Sequence, residues 1–175
     1  MVHSFEQLEM LEGRAGSDVI SAWIKVDTGM NRLGFRLEQF AEAYDRLRRI
    51  ANVAPDPTLV THLANADDRR DSKTAQQMQS FASATAGLTG ARSIANSAAL
   101  LAWPESRADW VRPGLVLYGV SPFPSGAGTD LGLRPVMTLQ TEVIAVKDVR
   151  AGETVGYGGA WLAPRDTRMA VIAAG

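Results

Sequence analysis

The chain contains no cysteine, which excludes a disulfide framework and any thiolate metal site. No apolar run approaches the ~20 residues a membrane-spanning helix needs. The opening Met1-Val2-His3-Ser4 lacks the basic start and apolar core of a signal peptide. There is no basic block either, and the formal net charge is −1, which argues against nucleic acid or an anionic membrane surface as the main partner. The densest basic run, Arg46, Arg48 and Arg49, falls on a helical pattern and reads as a solvated face. No His/Glu cluster has metal-ligand spacing, so no metal is expected. Gly156-Tyr157-Gly158-Gly159 does not lie between a strand and a helix, so it reads as a turn and not as a phosphate loop. These exclusions leave a soluble, cytoplasmic chain as the expectation.

Hydrophobic residues make up 46% of the 175 positions, enough for one sizeable core. Ser4 and Gln7 have capping-box spacing, with Phe5, Leu8 and Leu11 on one face of the helix that follows. Residues 19–26 read as a buried strand broken by Thr28-Gly29. Residues 37–51 carry Phe40, Ala43, Tyr44, Leu47 and Ala51 on one helical face. Residues 58–64 form the next strand. Asp71 or Ser72 then caps a helix whose apolar positions are Ala75, Met78, Phe81 and Ala82. A short strand at 91–95, a short helix opening at Asn96-Ser97 and a last strand within 110–120 follow. Strand and helix in alternation, joined by short loops, predict a parallel α/β sheet.

Polar residues recur where these strands end: Lys25 and Asp27, then His62, then Asn96 and Ser97, then Arg112. That is the active face of a (β/α)8, or TIM-type, barrel. A full barrel needs eight such units and roughly 250 residues. Residues 1–120 therefore read as the second half of one. Residues 121–134 are rich in Gly, Pro and Ser and read as a linker; residues 135–175 read as the start of an antiparallel β domain, beginning with a long strand at 136–149.

Three residue-level readings stay open on spacing alone. Lys25 and Asp27 can simply pair with each other at a sheet mouth. Ser97 can be an ordinary helix cap, or it can seat an anion with Gly114, where a missing Cβ lets the backbone approach. Arg112 can be a barrel-mouth ion pair, or it can donate a hydrogen bond to a ring nitrogen, because it never gives up its proton. His62 is placed to orient it. Ser97 has no credible base, so a hydrolase fits poorly.

The word Lys25-Val26-Asp27-Thr28-Gly29-Met30-Asn31-Arg32-Leu33-Gly34-Phe35 closely resembles the signature of the alanine racemase family. Thr61-His62-Leu63-Ala64-Asn65-Ala66-Asp67, Ile94-Ala95-Asn96-Ser97-Ala98 and Val111-Arg112-Pro113-Gly114-Leu115 resemble it independently. Asn31 and the overall wording look closest to the catabolic type. The resemblance implies a homodimeric parent that uses pyridoxal 5′-phosphate to interconvert L- and D-alanine, for alanine catabolism or peptidoglycan precursor supply. It implies that Arg32 contacts the substrate carboxylate and the cofactor's phenolic oxygen. Lys25 is the position carbamylated in many members, where it holds that arginine. Arg112 faces the pyridine nitrogen with His62 behind it, and Ser97, Gly114 and Leu115 hold the phosphate.

The chain departs from the family at both proton-transfer groups. The family's cofactor lysine lies in a word like A-x-x-K-A-x-A-Y-G-H-G, and Lys25, Lys73 and Lys147, the only lysines, have no such setting. Tyr44, Tyr118 and Tyr157 do not match the opposing tyrosine. The expectation is an internal fragment, inactive by itself, whose alternative role is that of a non-catalytic binder of the cofactor or of phosphate.

Overall fold

The computed structural model describes residues 1–174. The chain divides into two compact units, the first Met1–Val136 and the second beginning at Met137. The family of elements in the first is α1 (Phe5–Glu12), β1 (Trp23–Lys25), α2 (Leu37–Arg48), β2 (Thr58–Val60), α3 (Lys73–Ala84), β3 (Arg92–Ser93) and α4 (Ser97–Ala102). Strands β1, β2 and β3 lie side by side and parallel, with Ile24 opposite Leu59 and Val60 opposite Ser93. Parallel bridges extend the ladder at both edges, Val2 to Ile24 and Ser93 to Trp110.

The core explains the order of elements. Ile24, Val26 and Leu59 from the strands meet Leu8 of α1, Phe40, Tyr44 and Leu47 of α2, and Phe81 of α3, all buried. A parallel strand covered by helices cannot alternate apolar with polar, which is why β1 and β2 show apolar runs. Tyr44 can be buried because its hydroxyl donates to Thr89 O at 2.9 Å. Gly34 is fixed by geometry: its φ is +121°, and a Cβ there would lie 2.8 Å from Asp27 N. That close approach lets Phe35 return beside the end of β1, donating to Lys25 O and accepting from Asp27 N.

Several local expectations are corrected. Ser4 is the N-cap but makes no side-chain cap hydrogen bond, and Gln7 Oε1 accepts from His3 N and not from Ser4 N, so the predicted capping box does not form. α2 stops at Arg48, which leaves Ala51 exposed and buries Ile50 instead. The buried face of α3 is Thr74, Gln77 and Phe81, while Ala75 and Ala82 are exposed. Asp71 takes the capping role there, its Oδ1 accepting from Lys73 N. Beyond Trp110 the chain keeps one more backbone bond on this side, Arg112 N to Ala95 O, and then leaves the sheet: Gly114 N donates to Ser97 Oγ and Leu115–Tyr118 is a 3₁₀ turn. The segment expected as a linker belongs to the first unit, where a Cβ on Gly119 or Gly128 would run into backbone at Arg134 or Gly119.

In the second unit β4 (Val143–Val149) and β7 (Thr167–Ile172) pair antiparallel, as do β5 (Thr154–Val155) and β6 (Trp161–Leu162). The strand predicted from residue 136 thus starts at Val143. Gly156 to Gly159 make the turn between β5 and β6, with positive φ at Gly156, Gly158 and Gly159. Among the described residues no helix is long and apolar enough to cross a membrane, and no group of His, Asp or Glu is placed to hold a metal.

Candidate active site

The carboxyl ends of β1, β2 and β3 and the loop after Trp110 bring most of the predicted residues together. His62, Asn96, Ser97, Arg112, Gly114 and Leu115 line one cleft of about 270 Å³. Arg32 lines a neighbouring cleft with Asp27 and Asn31. Lys25 lies beneath, at the end of β1, and is buried.

Arg112 is held tightly. Its Nη1 donates to Ser93 Oγ and its Nη2 to Thr61 O, which leaves three of its five N–H groups uncommitted. Ser93 Oγ in turn donates to Trp110 O. The orienting partners are therefore Ser93 and Thr61, and not a ring nitrogen of His62 as the sequence suggested. Both partners are fully buried, so the fork is fixed on rigid strand ends. Burial alone depresses the Arg112 pKa, and the guanidinium stays charged.

Asn96, not Ser97, caps α4: its Oδ1 accepts from Ala99 N, and its Nδ2 donates to Leu63 O. Ser97 is thereby freed from capping. Its Oγ accepts from Gly114 N at 2.7 Å, which leaves the hydroxyl proton to give. A Cβ on Gly114 would sit 3.9 Å from Ser97 Oγ, an ordinary contact, so open space around Gly114 is a feature of the cleft and not of this pair.

Lys25 and Asp27 do not pair. Lys25 Nζ donates to Leu33 O at 2.7 Å. Asp27 Oδ1 accepts from the backbone N–H groups of Gly29, Met30 and Asn31, and so shapes the loop that carries Arg32. Those bonds, joined by the charge of Lys25, hold the Asp27 carboxyl below its usual range against the opposing effect of burial. Burial lowers the Lys25 pKa, Asp27 opposes this, and Arg112 and Arg32 add to the depression.

The cations leave a mark on His62. Burial, then the charges of Arg112, Arg32 and Lys25, push its pKa from 6.5 down to about 4. The ring is neutral at physiological pH and is a weak base. Since the folded value is the lower one, the unfolded chain binds the extra proton between the two. Stability attributable to His62 is therefore complete above pH 6.5 and is lost as pH falls toward about 4. Denaturant titrations at pH 7 and pH 5 should show this loss, and His62→Asn should reduce it.

Gln77 was missed by the sequence reading. It lies on α3, buried, and bonds to backbone at the end of β2. Apolar periodicity carries no signal for a buried polar face, and the spacing of Gln77 from His62 shows only in the fold.

Comparison with known proteins agrees with this architecture. Residues 1–122 match the family model for the alanine racemase N-terminal domain and residues 136–175 the one for its C-terminal domain. The chain is 49% identical to an alanine racemase of Aeromonas hydrophila subsp. hydrophila over 99% of its own length and 49% of the relative's. A solved biosynthetic alanine racemase from Pseudomonas aeruginosa is 37% identical and superposes with a TM-score of 0.90, covering 99% of this chain and 48% of that one. Another, from Bartonella henselae with covalently bound pyridoxal phosphate, has a TM-score of 0.70 and 26% identity over 96% of this chain and 45% of that one. The chain thus spans about half the length of the relatives it matches. With both domain models matched in sequence and the relatives aligned over nearly all of its residues, the chain belongs to the alanine racemase family.

Proposed function

We propose that this chain provides the pyridoxal-phosphate cradle and the substrate-carboxylate arginine of an enzyme that interconverts L- and D-alanine. The observation that carries the reading is one cleft in which a locked arginine, a free serine proton and an open glycine backbone face the same space. The donor set suits the cofactor. The Ser97 hydroxyl and the backbone N–H of Leu115 offer neutral donors for a phosphate, the Gly114 N–H being given to Ser97 Oγ, and Arg112 has uncommitted N–H groups for a ring nitrogen. When bound, the cofactor supplies an electron sink that acidifies the α-hydrogen of an amino acid. Arg112 can only donate, so it keeps the facing ring nitrogen unprotonated. A neutral His62 beside it adds no second charge. Arg32, exposed on the loop that Asp27 shapes, is free to take a carboxylate.

The depressed Lys25 pKa raises the share of free amine, the form that adds carbon dioxide, which supports carbamylation there. Val2, β1, β2, β3 and Trp110 pair parallel in chain order, neighbour to neighbour. Such an order, with helices between the strands, supports half of a (β/α)8 barrel. We read the parent as a cytoplasmic homodimer; its catabolic type rests on Asn31 and the wording around it. Among the described residues the cleft offers only a neutral His62 and an exposed Asp67 as titratable groups besides Arg112, which favours binding without turnover.

The test is a fluorescence titration of the purified chain with pyridoxal 5′-phosphate. Ser97→Ala should weaken binding by about tenfold, the worth of one hydrogen bond to a charged group. It should leave affinity for pyridoxal, which has no phosphate, unchanged. Equal weakening for both ligands would remove Ser97 from the phosphate site.

A further inference from the structure

Gln77 is a buried polar side chain that reaches two of the strand ends on which the site is built. Its Nε2 donates to Thr28 Oγ1 at 3.2 Å and to His62 O at 3.1 Å, and its Oε1 accepts from Ala64 N at 2.9 Å. Thr28 Oγ1 lies 2.7 Å from Thr61 Oγ1, and Thr61 O takes one arm of the Arg112 fork. The stem of Gln77 also backs the Arg32 loop, since a Cβ on Gly29 would lie 3.8 Å from its Cγ. Gln77, Thr28 and Thr61 are all buried.

We propose that Gln77 is a positioning residue that sets the separation between the Arg32 loop and the segment holding His62 and Arg112. The chemistry explains why an amide stands there. A carboxamide donates on one side and accepts on the other, so it can bridge a carbonyl and an N–H of one strand end while bonding a hydroxyl of the next. A carboxylate would put a lone pair against His62 O. An apolar side chain of equal length would leave the carbonyl of His62 and the N–H of Ala64 buried and unpaired. The sheet supplies nothing else at this point, because β2 ends at Val60 and its ladder to β3 at Ser93. The width between the two arginines is the width between a carboxylate contact and a ring-nitrogen contact, so Gln77 tunes the site for small amino-acid adducts without touching them. That consequence rests on the function proposed above; the positioning itself does not.

The experiment is amide hydrogen exchange on the full chain, wild type against Gln77→Met and Gln77→Glu. Gln77→Met should speed exchange about tenfold or more at Ala64 and at Gly29, Met30 and Asn31, while Tyr44 and Leu47 of α2 keep their rates. Gln77→Glu should restore protection at Ala64, where an oxygen still accepts, and not at the Arg32 loop. A uniform rise including α2, or unchanged rates at Ala64 and the loop, would overturn the proposal. If Gln77→Met does not fold, Gln77→Glu and Thr28→Val decide by the same amides. Titration of the same samples with pyridoxal 5′-phosphate separates the two readings. A wild type that binds none of it, with the local exchange pattern present, overturns the function and keeps the positioning role. A wild type that binds, with the pattern absent, does the reverse.

Discussion

Replacing Arg112 by methionine is expected to weaken pyridoxal 5′-phosphate binding by tenfold to a hundredfold and to erase any preference for the ring nitrogen. A hydrogen bond from a charged donor is worth about 1.5–3 kcal/mol, which is that range of affinity. The measurement is a pair of titrations, one with the cofactor and one with its carbocyclic analogue, in which carbon replaces the ring nitrogen. Wild type should favour the cofactor, and Arg112→Met should bind both alike. The substitution also strips Thr61 O of the Arg112 bond and Ser93 Oγ of one partner. An unpaired buried carbonyl costs about 1–3 kcal/mol, while removing a buried charge returns part of that. Unfolding in urea should therefore show a loss near the lower end of that range. Arg112→Lys should fall between, because an ammonium cannot reproduce a planar fork aimed at two acceptors on different strands. A variant that kept its preference for the ring nitrogen would show that Arg112 only ties β2 to β3.

The parts of this site that the sequence made legible are those where one residue does one local thing. Thr28-Gly29 breaks β1 and Asn96-Ser97 opens α4, both from local backbone chemistry. Core helices were legible where the buried face is apolar, as with Phe40, Ala43, Tyr44 and Leu47. They were not legible where the protein buries polarity. On α3 the apolar period pointed to Ala75 and Ala82, yet Thr74 and Gln77 face inward, because the strand ends they meet carry carbonyls and hydroxyls that need partners. The partners of Arg112 were misread for the same reason. A backbone carbonyl has no letter in the sequence, so Thr61 O could not compete with His62, the residue with an obvious side chain. For Lys25, spacing left a pair with Asp27 open, two positions on, when its acceptor is the carbonyl of Leu33.

Purified chain supplied with pyridoxal 5′-phosphate and L-alanine is expected to give D-alanine no faster than the free cofactor does. Racemisation removes a proton from one face of the α-carbon and returns one to the other, which takes two positioned groups of suitable pKa. His62 and Asp67 are the titratable groups that line the cleft with Arg112; a pKa of about 4 makes His62 a weak base at neutral pH, and Asp67 is an exposed carboxylate. Lys25 is buried and spends its ammonium on Leu33 O, and Lys73, at the start of α3, backs Gly29 of the Arg32 loop without being among the residues that line either cleft. Lys147 stands on β4 in the second unit. Among the tyrosines, Tyr44 is buried against Thr89, Tyr118 ends a 3₁₀ turn outside the residues lining the cleft, and Tyr157 lies in the β5–β6 turn. Binding and turnover should thus separate: the phosphate and ring-nitrogen contacts remain measurable while the rate stays at background. Chiral chromatography of the reaction over time, with free cofactor and with His62→Asn as controls, reads the outcome. D-alanine well above the free-cofactor control would show that the chain holds a working proton-transfer pair of its own. Loss of that excess in His62→Asn would then name one member, and His62 would not be the neutral, idle ring that its low pKa implies.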